Sequence, residues 1–149
     1  MIMAAGNSKL FNEYVLKERQ GVYSQADALR VAFISDTYGS LSADLATPNL
    51  SSVTVTSGGN VAASYLLSSV AYTRATNVIK LDAADLPQIL KDGSNPSDVR
   101  CAVIYNDTSA ADDLVQIYDM TADGTTALDL VNNDFTFTFG AGGINTATV

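Results

Sequence analysis

A mainly β fold, an antiparallel β-sandwich or barrel-like body with a short N-terminal amphipathic helix, is the class this sequence predicts, on three observations. The first is strict alternation near the end of the sequence, where Phe135, Phe137 and Phe139 interleave with Thr136 and Thr138. Successive strand side chains point to opposite faces, so this run has one apolar face and one hydroxyl face. The second is a set of about seven or eight short strand-like runs with turn residues between them. The third is that these runs do not alternate with helical patterns, as βαβ units would require.

Taken in order, the elements begin with a helical pattern from Ser8. Leu10 with Tyr14 and Phe11 with Val15 are i,i+4 pairs, Ser8 is the expected N-cap and Gly21 the expected stop. In ALRVAFIS, Leu29, Val31 and Phe33 share one face of a strand, with Arg30, Ala32 and Ile34 on the other. DTYGSLSADLATPNL, residues 36 to 50, breaks every period and reads as a long connection. SVTVT alternates, GGN signals a turn, and ASYLLSSVAYTRA carries Tyr65 and Leu67, then Val70 and Tyr72 across an expected bulge or register change. NVIKLD is a strand, and DLPQIL reads as one helical turn with Asp85 as cap and Pro87 near its start. DVRCAVIY, DLVQIYDM and NDFTFTF complete the set, and the phenylalanine face is expected to close the interior against Val103, Tyr105 and Ile117.

Length and composition fit one domain, residues 1–149, with an N-terminal arm over about residues 1–7. The 149 residues are 47% hydrophobic and 16% charged, enough apolar material for a real core. A net charge of −8 repels phosphate backbones and anionic lipid surfaces, so neither nucleic acid nor membrane is an expected partner. The start MIMAAGNSKL lacks a basic n-region followed by an apolar core, and no run approaches the ~20 apolar residues that span a bilayer. The single cysteine makes no internal disulfide, which fits assembly in a reducing cytoplasm.

Histidine does not occur, which removes the commonest general base, Ser-His-Asp and Cys-His arrangements and histidine zinc sites. Cys101 shares a strand face with Val99, Val103 and Tyr105 and is expected to pack as a small hydrophobe. The carboxylate pairs Asp82 with Asp85 and Asp112 with Asp113 invite a two-acid hydrolytic reading, but there is no Trp to line a sugar cleft, and turn or cap roles are expected. Asp119, Asp123 and Gly124 fall at the first, fifth and sixth positions of a calcium-loop frame, yet Leu130 stands where a bidentate glutamate is required. Gly58-Gly59 lacks a phosphate-loop lysine, and Gly140 to Gly143 lacks a following helix. No catalytic, cofactor-binding or metal-ligating residue is therefore predicted. Of the seven tyrosines, Tyr65, Tyr72, Tyr105 and Tyr118 sit on expected strands, suited to core or interface.

The order KLFNEYVLKE, ALRVAFISDTY, a GG turn, VRCAVIYND, DLVQIYDM and FTFTFGAGGI resembles a group of small tailed-bacteriophage structural proteins, some of them capsid decoration or cement proteins. Relatives commonly carry a Trp near the segment that here reads DAADLPQIL. The resemblance implies a non-enzymatic β-sandwich made in the bacterial host cytoplasm. It implies binding to the outer surface of the major capsid protein lattice, as homotrimers at local threefold positions, with no cofactor. Two contact regions are expected: the arm, through Met1, Met3 and Asn7, and the connection from Asp36 to Leu50, through Tyr38, Leu41 and Leu45. A tail, neck or head-fibre component is the nearest alternative, and a carbohydrate-binding module is a second.

Overall fold

Strand residues that are apolar on both faces end up in the middle of the molecule, and those that alternate end up at its margins. The computed structural model describes residues 2–4 and 7–148, and the side chains of residues 7–147. Strands β1 (Ile2–Ala4) and β2 (Ser8–Leu10) precede helix α1 (Asn12–Arg19); β3 (Leu29–Ile34), β4 (Tyr65–Leu66), β5 (Ala71–Ala75) and β6 (Val78–Asp82) follow. After these come β7 (Cys101–Asn106), β8 (Asp113–Asp119), β9 (Thr136–Thr138) and β10 (Asn145–Thr148).

The strands form an antiparallel five-stranded sheet in the order β2-β8-β7-β3-β4 and an antiparallel three-stranded sheet in the order β10-β6-β5, with β1 beside β9 as a parallel pair. The result is sandwich-like and open, not a closed barrel. All six residues of β7 are buried, so this strand is the spine of the core. β3 is buried on both faces except at Arg30, where its alternation predicts cover on one face.

Register decides what the phenylalanines meet. Phe33 lies opposite Ala102, and Ala102 opposite Tyr118, so these three share a face of the five-stranded sheet. Phe135 and Phe137 pack edge-on against Phe33 at 5.9 and 6.4 Å, and Phe137 and Phe139 against Tyr118 at 5.5 and 6.3 Å. Val103 pairs with Ala32 and Ile117 and so faces the other way. The expected partners Val103, Tyr105 and Ile117 are corrected to Phe33 and Tyr118, one parity step away.

Three further expectations are corrected. Ser8 is not a helix cap: it opens β2, paired with Tyr118, and α1 begins after Phe11, whose backbone is extended. The helix does stop where expected, since Gly21 at φ +73° lets its N–H reach Glu18 O at 3.0 Å and the Val22 N–H reach Lys17 O at 2.9 Å. DLPQIL is extended, not helical; Ile89 exchanges backbone bonds with Phe135, and Asp85 accepts from the Phe139 N–H at 2.7 Å. Between Leu67 and Val70 the backbone passes from one sheet to the other, with Ser69 at φ +56°, in place of the expected bulge.

Both margins of the large sheet are covered in part. β4 and residues 54–56 share the outer side of β3, through bonds such as Thr56 N–H to Phe33 O at 2.9 Å. β2 and the Pro48–Leu50 stretch share the outer side of β8. Short covering pieces of this kind hide backbone groups that would otherwise template pairing with another polypeptide.

Candidate functional site

Titratable groups converge most densely on Asp113. One extra residue on β8, where Ile104 pairs with Gln116 but Tyr105 with Leu114, shifts parity and puts Asp113 opposite Asn106. Its Oδ2 accepts from Ser109 Oγ at 2.6 Å, from Lys17 Nζ at 3.0 Å and from the Tyr23 hydroxyl. Beside it, the buried Asn106 donates to Asp27 at 2.7 Å and accepts from the Thr108 N–H at 2.9 Å. Tyr23, Asp27, Asn106, Ser109 and Asp113 line a hollow of about 280 Å³.

The electrostatics hold protons in place. Burial pushes the Asp113 carboxyl up, but the bonds from Ser109, Tyr23 and Lys17 outweigh it and leave the carboxyl below its ordinary value. The bond to Asp113 raises Lys17, and burial with that same carboxylate pushes Tyr23 up to about 12. A general acid or base works best with a pKa near the operating pH, and each of these three lies away from neutrality. A second cluster joins helix to small sheet: the Tyr72 hydroxyl donates to Glu18, and the Tyr14 hydroxyl lies 3.4 Å from that of Tyr72. Burial raises both Tyr14 and Glu18, and Tyr14 stacks on Tyr23 at 5.3 Å.

The expected contact residues divide by burial. Met1 lies outside the described residues, as does the side chain of Met3, whose backbone runs in β1 opposite Phe137 of the same molecule. Asn7 is exposed, and its carbonyl accepts from the Asp119 N–H at 2.8 Å. Leu41 is 7% exposed and belongs to the core, with Tyr38 and Leu45 half-buried against it. Lys9 Nζ donates to Tyr38 O at 2.7 Å and sits 4.2 Å above the Tyr38 ring. The Asn12 N–H bonds Ala43 O at 3.0 Å, tying the connection to the start of α1. Its larger apolar side chains thus point inward, while Ser40, Ser42, Asp44, Ala46 and Thr47 are among the exposed positions.

The remaining candidates have local roles. Cys101 is fully buried, and burial pushes its thiol up to about 12. Asp82 pairs with Lys80 at 2.6 Å, and the Asp112 carbonyl accepts from the Leu50 N–H at 3.0 Å. Asp119 accepts from Thr121, and Asp123 from Thr125 and Thr126, each closing a turn on its own side chain. Among the described residues no group of three or more acidic or cysteine side chains is placed to hold a metal ion. No helix among them is long and apolar enough to cross a membrane.

Sequence reasoning misses the convergence of Lys17, Tyr23 and Ser109 on Asp113. Lys17 and Tyr23 lie 96 and 90 positions away from it, and the bulge that turns Asp113 toward them leaves no periodic trace. It also passes over Gln116, an amide inside the apolar run LVQIY that is 4% exposed. A lone amide among buried aliphatics is the available signal. Compared with protein-family models, curated proteins and solved structures, the protein matches none.

Proposed function

We propose that this protein is a non-enzymatic structural component of a tailed bacteriophage, a capsid decoration or cement protein. It binds the outer surface of the major capsid protein lattice as a homotrimer and stabilises the head. The sequence resemblance suggests the class, and the observation that carries the reading is the connection from Asp36 to Leu50. A segment of that length, tied down through Leu41, Tyr38 and Ala43 O, offers a preformed polar surface. Docking such a surface avoids the cost of ordering a loose loop, about 0.5–1.5 kcal/mol for each flexible side chain fixed. The ionic centres support the same reading, because Asp113, Lys17 and Tyr23 are held in one protonation state at neutral pH. A clamp across a seam between shell subunits strengthens the lattice by adding buried area there.

Quantitative mass spectrometry of intact particles tests it. A head-shell protein is expected in on the order of hundreds of copies per particle, while about six or twelve copies would assign it to a neck or tail ring and overturn the reading.

A further inference from the structure

Strand β1 is paired through β9 alone. It belongs to neither antiparallel sheet; Ile2, Met3 and Ala4 lie beside Thr136, Phe137 and Thr138 in a parallel pair. The other side of β9 is taken: Phe137 O accepts from the Leu86 N–H at 3.1 Å, and Phe135 and Ile89 exchange backbone bonds at 2.7 and 2.8 Å. Odd-numbered positions of β9 and its flank therefore face residues 85–89, and by alternation the backbone groups of Thr136 and Thr138 face β1. These groups call for a strand beside them, since an open edge templates pairing with another polypeptide.

The link from β1 to β2 is short for what it crosses. Ala5, Gly6 and Asn7 are the residues between Ala4 and Ser8, and four Cα steps reach at most about 14 Å. β2 lies at the margin of the five-stranded sheet, whereas β9 faces that sheet across the core, where Phe137 meets Tyr118 at 5.5 Å. Packed layers stand about 10 Å apart, so the link has little slack. A short hinge without slack is the condition under which a strand exchanges between copies.

We propose that β1 is an exchange strand: in the protein's own oligomer, residues 2–4 of one copy lie on β9 of the next, in the same parallel register. The occupant of the β9 margin is thus a second copy of this polypeptide, whose fit is given by the register of Ile2 with Thr136 and of Ala4 with Thr138. Every backbone pair of the closed form is kept, and only the hinge takes a different path. Donation runs head to tail, from β1 of one copy to β9 of another, and a contact of this kind closes as a ring. A ring of three rests on the homotrimer reading above; the exchange itself does not.

Cysteines introduced at the paired positions 4 and 138 test it in the full-length protein. The native Cys101 is fully buried in the folded protein and stays out of the reaction. Ala4→Cys with Thr138→Cys in one polypeptide, refolded under reducing conditions and then oxidised, is expected to give disulfide-linked multimers on a non-reducing gel. The two single variants refolded together are expected to give a linked dimer containing one of each, with the bond between the introduced thiols located by peptide mass. Light scattering before oxidation measures the size of the assembly independently. A trimer whose only disulfides are internal would overturn the exchange and leave the homotrimer reading standing. Monomers alone, linked internally or not at all, would overturn the exchange as well.

Discussion

The five-stranded and three-stranded sheets are both antiparallel and reach opposite states of burial. In the large sheet every residue of β7 is buried, and both margins are partly covered. In the small sheet Thr73, Arg74 and Ala75 of β5 are exposed, and Leu81 is the one fully buried residue of β6. The small sheet is fastened at separate points. Tyr72 reaches Glu18, the Tyr118 hydroxyl donates to Ile144 O at 2.9 Å, and Gly143 turns tightly beneath Leu81. The difference teaches that stability is concentrated in one sheet and surface in the other.

Phe33→Ala should have the largest effect, because it removes the ring that both Phe135 and Phe137 pack against. A loss of about 3–5 kcal/mol is expected in urea unfolding, with both sheets lost together. A small loss would mean that the two layers do not share a core. Gly143→Ala comes next. At φ +63° a β-carbon there would lie 2.6 Å from Leu81 O, and a cost of about 1–3 kcal/mol is expected, with amide exchange rising first in β6 and β10. Equal acceleration in β7 would break the distinction between the sheets.

Asp113→Asn sharpens it through pH. The folded carboxyl lies below its ordinary value of 3.8, so its contribution is complete above 3.8 and is lost as pH falls through the lower folded value. Lys17 lies above its ordinary 10.5, so its contribution is complete below 10.5 and is lost as pH rises through the higher folded value. Thermal melts of Asp113→Asn against pH should show a flatter acid limb than the parent protein. Smallest is Thr73→Ala on the exposed strand β5, expected within about 0.5 kcal/mol in the same urea assay.

Periodicity reveals those strands whose burial is dictated by their own residues. β3, β6, β7, β8 and the phenylalanine strand are all legible, because apolar runs and strict alternation follow directly from which faces must leave water. β2 is not. Its three residues, Ser8 to Leu10, are too few to show a period, and Leu10 with Tyr14 mimics a helix that starts only at Asn12. The phenylalanine face is legible as buried, but its match to Val103 and Ile117 fails, since parity within one strand says nothing about which face of another sheet it meets. The Asp113 centre and the buried Gln116 amide are illegible for a related reason: both depend on the extra residue or register of β8, which sequence alternation does not encode.

A density map of the intact phage particle tests the central claim most directly, namely that this rigid β body docks on a protein shell. The expected result is a trimer of this fold on the outer surface at local threefold positions, with residues 39–47 against the shell. Density for the protein only at the neck or tail, or none anywhere on the particle, would contradict it.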